Sequence, residues 1–128
     1  MILVDTSVWI EHLRAGNGTL ERLLERGTVL GHPWVVGELA LGRLHRRGEI
    51  LGLLTGLPQA TSATESEVLA LIERQELWGI GIGYVDAQLL AASRLTPATL
   101  WTNDRRLAAA ASLLGNAFEP DSFAEPVA

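Results

Sequence analysis

The chain has 128 residues, a length typical of one domain built around one hydrophobic core. Its hydrophobic content of 48% argues against disorder, and no apolar run is long enough to span a bilayer. The net charge of −5 gives a weak argument against nucleic-acid binding, because phosphate binding usually leaves a basic footprint.

Two residue types are missing. The absence of cysteine excludes disulfides, thiolate catalysis and cysteine-ligated zinc. All ten basic residues are arginine, so the chain lacks the lysine that a Walker-type phosphate loop requires.

The amino terminus has neither the basic start nor the apolar stretch of a signal peptide, which predicts a cytoplasmic protein that does not enter a membrane.

Hydrophobic periodicity predicts strands that alternate with helices. In the first half of the chain it predicts a strand over 2–5, helices over 6–14 and 20–26, a strand over 28–31, and helices over 33–44 and 49–54. In the second half it predicts a weak strand over 57–61, helices over 64–78 and 84–95, a strand over 98–102, a helix over 105–114 and a short strand ending at 118.

This order of elements predicts an α/β fold with a parallel central sheet, because strands separated by helices form a parallel sheet that helices cover on both faces. No internal repeat or linker divides the chain. We therefore expect one domain over 1–128, with a loose, proline-interrupted tail over 119–128.

Three of the four aspartates lie where a helix begins. Asp5 and Asp104 each follow a predicted strand, and Asp86 lies in the first turn of the helix after the "GIGIG" stretch. Each of them could simply cap its helix. The carboxyl ends of parallel strands also line one edge of a sheet, where ligands bind. Even as caps, Asp5 and Asp104 are expected to meet at that edge, together with Asp86.

Glu38 has no capping explanation, since it lies in the middle of the predicted helix "VVGELALG". Its neighbours three and four positions away are mostly apolar, and an ionised carboxylate on an apolar face is costly unless it is paired or binds a metal. An arginine partner is one explanation. A site for Mg²⁺ or Mn²⁺ is the other, because these ions prefer oxygen ligands, offset carboxylate repulsion and promote attack on phosphodiesters.

Four segments resemble, in order and spacing, the motifs of PIN-domain ribonucleases, and more closely those of VapC-type toxins of bacterial toxin–antitoxin pairs. They are "MILVDTSVWIEHL", "VVGELALGRL", "YVDAQLLAAS" and "LWTNDRRL". The resemblance implies a three-layer α/β/α PIN fold, Mg²⁺-dependent endoribonuclease activity, a homodimer and a cognate antitoxin. It implies a catalytic, metal-binding quartet of Asp5, Glu38, Asp86 and Asp104, with Thr6, Ser7 and Thr102 as polar neighbours.

Other features have two explanations at this point. Arginines follow two of the acidic motifs, where they either form solvated helix faces or contact RNA phosphates: Arg43, Arg46, Arg47, Arg105 and Arg106. The four tryptophans favour packing over base stacking. The three histidines lack metal-ligand spacing and are expected in turns or on the surface.

Two other functions stay open. A phosphoaspartyl enzyme or receiver-type module would use Asp5 as its nucleophile, but it would need a lysine that this chain lacks. A non-catalytic interaction domain would use its aspartates only as helix caps, and metal binding distinguishes it from a nuclease. A partner groove is also expected on the first two helices, formed by Trp9, Leu13, Leu20, Leu23 and Leu24.

Overall fold

The computed structural model describes residues 1–123, and it contains one parallel sheet. The strands are β1 (Ile2–Val4), β2 (Val29–Leu30) and β3 (Thr99–Trp101), in the spatial order β2-β1-β3. In this register Leu3 of β1 lies opposite Leu30 on one side and Leu100 on the other. All three leucines are buried, as expected of a parallel sheet covered on both faces.

Seven α-helices accompany the sheet within the described residues. They are α1 (Thr6–Ala15), α2 (Gly18–Glu25), α3 (Pro33–Ala40), α4 (Arg47–Gly56), α5 (Glu65–Arg74), α6 (Tyr84–Leu95) and α7 (Arg105–Leu113). The chain moves from β1 to β2 through α1 and α2, then returns past β1 to β3 through α3 to α6. Because parallel crossovers are right-handed, these two connections lie on opposite faces of the sheet. The predicted α/β class is confirmed.

The core forms where these helices meet the sheet. Helix α6 packs against β3 and β1, and its Leu89 and Leu90 are completely buried. Leu20 and Leu23 of α2 are buried in the same cluster. None of the helices among residues 1–123 combines the length and the apolar composition needed to cross a bilayer.

Several predicted boundaries were wrong. Helix α3 stops at Ala40 instead of 44, where the guanidinium of Arg47 donates to the Ala40 carbonyl oxygen at 2.7 Å. Helix α5 stops at Arg74 instead of 78, because Glu76 takes a left-handed backbone with φ of 53°.

The strands predicted over 57–61 and up to 118 are only isolated bridges, Gly31 to Gln59 and Leu100 to Ala117. At the carboxyl end, Pro120–Phe123 forms a 3₁₀ turn. Residues 124–128 of the predicted loose tail lie outside the described residues.

Candidate active site

Asp5 lies at the carboxyl end of β1 and is also the N-cap of α1. Its Oδ2 atom accepts hydrogen bonds from the hydroxyls of Ser7 at 2.6 Å and Thr102 at 2.7 Å, and a longer one from the Ser7 amide at 3.4 Å. The side chain is only 6% exposed. A buried carboxylate is costly unless it is hydrogen-bonded, and the two hydroxyls meet that requirement.

Asp104 is brought next to Asp5 by the end of β3. It caps α7 by accepting the amides of Arg106 at 2.9 Å and Leu107 at 3.0 Å on Oδ1. The Thr102 hydroxyl accepts the Asp104 amide at 3.0 Å while it donates to Asp5. One hydroxyl therefore links the two aspartates that follow neighbouring strands.

Asp86 enters from the first turn of α6, where its Oδ2 accepts the Gly83 amide at 2.9 Å. Burial raises the pKa of its carboxyl group, the Gly83 hydrogen bond opposes that rise, and the negative charges of Asp5 and Asp104 raise the pKa further. Asp5 and Asp104 are thus both close enough to Asp86 to repel its charge, as expected for one shared site.

Glu38 is linked to the residue that follows Asp5, and its partner is a hydroxyl group instead of the arginine that the sequence suggested. Its Oε1 accepts the Thr6 hydroxyl at 2.6 Å, so the residue after Asp5 connects α1 to α3. The expectation that Glu38 lies on a buried apolar face was wrong. Glu38 is exposed, and its neighbours Trp34 and Leu41 are 41% and 91% exposed, because the face of α3 that packs into the core is formed by Val35 and Leu39.

The four carboxylates share one arrangement. Each is oriented by hydrogen bonds to a single oxygen, and no donor among residues 1–123 reaches the other oxygen: Oδ1 of Asp5 and Asp86, Oδ2 of Asp104 and Oε2 of Glu38. Within the described part of the chain, no three acidic or imidazole groups stand close enough to enclose a metal ion. The donor set suits an open site, in which one or two carboxylates hold a cation and water or substrate oxygens complete its shell.

Glu11 is a member of this region that sequence reasoning missed. Its carboxylate accepts the side-chain amide of Asn103 at 2.8 Å on one oxygen and that of Asn17 at 2.8 Å on the other. The Asn103 backbone amide also donates to the Ser7 hydroxyl at 3.0 Å. The available signal was that Ser7 and Glu11 are four apart on α1 and so share a helix face.

The five arginines that follow the acidic motifs are all exposed. Two of them, Arg47 and Arg106, make contacts that bear on their role. Arg47 caps the end of α3, which explains it structurally. Arg106 lies against Gly81, where a Cβ atom would come within 2.5 Å of its Nη1 atom. Gly81 has φ of +84°, a backbone that favours glycine. Arg106 thus connects the start of α7 to the loop that leads to Asp86.

The partner groove predicted on the first two helices was wrong for most of its residues, although Leu13 of α1 does line a cleft. Trp9, Leu20 and Leu23 belong to the core and are at most 5% exposed, because α2 uses its apolar face to cover the sheet. A cleft of about 590 Å³ lies instead between α1 and the α3–α4 region. Its lining includes Ile10, Leu13, Arg14, Glu38, Arg43 and Arg46.

The burial of the tryptophans and of one histidine differs in part from what the sequence predicted. Trp9 and Trp101 are buried as expected, whereas Trp34 and Trp78 are 41% and 58% exposed. His32 was expected in a turn or on the surface. It precedes α3, yet it is completely buried, and its Nδ1 atom accepts the Trp34 amide at 3.0 Å as the helix cap.

Comparisons with known proteins agree with this geometry. The family model described as "PIN domain" matches residues 2–113. The chain is 51% identical over 116 residues to Ribonuclease VapC32 of Mycobacterium tuberculosis, a match that covers 90% of this chain and 94% of that protein.

Solved structures show the same fold. FitAcB from Neisseria gonorrhoeae has a TM-score of 0.63 at 23% identity, covering 94% of this chain and 98% of that one. The structure of FitAB bound to a DNA fragment has a TM-score of 0.65 at 23% identity, covering 94% and 95%. The fold, the order of the motifs and these matches lead to one conclusion: the chain belongs to the PIN-domain family and is similar to VapC-type toxins.

Proposed function

We propose that the chain is a metal-dependent endoribonuclease and the toxin of a toxin–antitoxin pair. The observation that carries the proposal is the set of three repelling aspartates and Glu38, each with one oriented and one open carboxylate oxygen. The similarity to a protein named as a VapC ribonuclease supports an RNA substrate. Cytoplasmic RNA is the proposed target.

Asp5, Asp86, Asp104 and Glu38 form the donor set from which one or two carboxylates would hold Mg²⁺, or Mn²⁺ in its place. Hard oxygen donors of this kind suit both ions. When bound, the ion supplies Lewis-acid stabilisation of the developing phosphate charge and a water of lowered pKa. It also offsets the repulsion between this acidic site and an anionic substrate.

The chain's own residues would position the reactants. Open carboxylate oxygens accept the hydrogens of a water and aim its oxygen at phosphorus. A new P–O bond would form as the bond to the leaving ribose oxygen breaks. The attacking water would give up one proton to an open carboxylate oxygen, which releases it to solvent, and the leaving oxygen would take a proton from solvent. Thr102 and Ser7 hold Asp5 in place, and Thr6 holds Glu38. The catalytic contribution of these residues would come mainly from the fixed orientation of the carboxylates.

The direct test is incubation of partner-free protein with total RNA in Mg²⁺ and in EDTA. We expect discrete fragments in Mg²⁺, restored activity when Mn²⁺ replaces Mg²⁺, and no cleavage in EDTA. Full activity in EDTA would contradict the metal-dependent mechanism. Absence of both RNA cleavage and divalent-ion binding would favour the non-catalytic interaction domain.

We also propose that the α1–α4 cleft, defined by the lining residues given above, receives an apolar segment of the antitoxin. Ile10 and Leu13 are 48% and 36% exposed in it, and Glu38 is shared between the cleft and the acidic site. A cationic side chain of the antitoxin could therefore pair with Glu38 and oppose metal binding. Homodimer formation is proposed on the family resemblance.

Ile10→Glu is expected to weaken capture of the co-expressed antitoxin by at least about tenfold, because a carboxylate would replace apolar contact in the cleft and lie near Glu38. The matched control is Leu69→Glu, which puts the same charge on an equally exposed apolar residue of α5. Affinity is measured by titrating labelled antitoxin. Equal weakening by the two variants would place the partner elsewhere.

A further inference from the structure

Two exposed aromatic rings meet beside the acidic site. The ring centroids of Trp34 and Tyr84 are 6.1 Å apart with an interplanar angle of 69°, an edge-to-face contact. Trp34 is 41% exposed and Tyr84 is 42% exposed. We call these two residues the aromatic pair.

The pair bridges the two helices that supply Glu38 and Asp86. Trp34 lies one turn before Glu38 on α3, and Tyr84 is the first residue of α6, two positions before Asp86. Trp34 does not fill the core, because Val35 and Leu39 form the buried face of α3. Two large rings therefore remain in contact with solvent at one side of the acidic site.

Buried polar groups hold both residues in place. The side-chain amide of Gln88, only 4% exposed, donates to the Tyr84 hydroxyl at 3.2 Å. The Trp34 backbone amide donates to the completely buried His32, which fixes the start of α3, and the indole ring itself is oriented by its contact with Tyr84. An exposed surface that is already oriented loses little conformational freedom when a ligand binds.

The charge of the site influences what binds beside it. The carboxylates repel any phosphate that the cation does not contact, so uncharged groups are well suited to hold the nucleotide next to the cleaved phosphate. Aromatic side chains are such groups, because any nucleobase can stack on them. Resting on the proposed function, we propose that the aromatic pair stacks a nucleobase next to the phosphate that is cleaved, and so positions single-stranded RNA in the site.

The experiment measures cleavage of a short single-stranded RNA by wild type, Trp34→Leu and Trp34→Phe in Mg²⁺. Stacking on one aromatic residue corresponds to a roughly 5- to 150-fold change in affinity. We expect KM to rise within that range for Trp34→Leu, with kcat changed less than about threefold, and to recover largely in Trp34→Phe. Tyr84→Leu should act in the same direction. Melting curves confirm that each variant folds.

A series of RNAs with one abasic nucleotide locates the stacked base. Wild type should lose affinity strongly at one position next to the cleavage site, and Trp34→Leu should lose little more at that position. The control is Trp78→Leu, which removes the other largely exposed tryptophan and should keep the wild-type abasic profile.

The failures are distinguishable. If wild type cleaves no RNA with any divalent ion, the proposed function fails and the stacking role fails with it. If wild type cleaves RNA and Trp34→Leu has the same KM and abasic profile, only the stacking role is overturned. Normal cleavage by Trp34→Leu with loss of antitoxin binding would also overturn it, since the pair would then belong to the partner surface.

Discussion

Asp86→Asn is expected to lower RNA cleavage by on the order of a hundredfold or more and to raise the melting temperature of the metal-free protein. The activity falls because a neutral amide cannot replace a carboxylate that acts on a cation and its water. The stability rises because asparagine removes a charge that burial disfavours and that Asp5 and Asp104 repel. An asparagine side-chain oxygen can still accept the Gly83 amide, so the helix start is kept.

The sign of the pH dependence follows from the raised pKa of Asp86. Between the ordinary aspartate pKa of 3.8 and the raised value, the native state binds more protons than the unfolded state, so the free energy of unfolding falls as pH rises. The stability gained by Asp86→Asn should therefore be present at pH 7 and vanish near pH 3.8. Thermal unfolding in EDTA across this range measures it.

Asp121→Asn is the matched control, since Asp121 is exposed in the 3₁₀ turn at the other end of the chain. It removes the same charge and should leave both melting temperature and cleavage within error of wild type. Added Mg²⁺ should stabilise wild type more than Asp86→Asn, because a ligand stabilises the state that binds it. If wild type and Asp86→Asn have equal melting temperatures and equal Mg²⁺ shifts, Asp86 serves only the start of its helix and takes no part in a metal site.

The sequence was sufficient to predict that Asp5 and Asp104 lie near each other, because the prediction depends only on the order and direction of the strands. Each follows a strand, and parallel strands end at one edge whatever their exact length. Capping and site formation also prove compatible. Asp104 caps α7 with Oδ1 and keeps Oδ2 open, so the same residue fits both explanations.

Glu38 shows where the same reasoning failed. Its apolar neighbours suggested burial, but burial depends on whether another element covers that face. Helix α3 ends at Ala40, and Leu41 is 91% exposed. The contact that brings Glu38 to the site, a 2.6 Å bond from Thr6, joins residues 32 positions apart, a distance over which sequence periodicity carries no information.

Glu11 and His32 were missed for a related reason. The Glu11 carboxylate joins Asn17 and Asn103, which come from two separate loops, and no local pattern marks such a triple. His32 is buried because the chain enters α3 directly from β2 at the covered edge of the sheet. The residue types were visible in the sequence, but the contacts of Glu11 and the burial of His32 depend on the three-dimensional packing.

Thr102→Val tests whether the hydroxyl that links Asp5 and Asp104 organises the site. Valine has nearly the shape of threonine but can neither donate to Asp5 nor accept the Asp104 amide. Asp5 is 6% exposed, so losing a donor to its charge should cost about 1–3 kcal/mol of unfolding free energy. Cleavage should fall at least about tenfold, because Asp5 and the start of α7 would lose their common anchor.

Thr102→Ser is the matched control, because it keeps the hydroxyl and removes only a methyl group. It should retain most of the activity and lose clearly less stability than Thr102→Val. Denaturant unfolding and RNA cleavage are measured for both variants in the same buffers. If valine and serine variants behave alike, the Ser7 hydroxyl, 3.3 Å from that of Thr102 and 2.6 Å from Asp5, holds the carboxylate without help from β3. The link between the two strand ends would then contribute to neither stability nor cleavage.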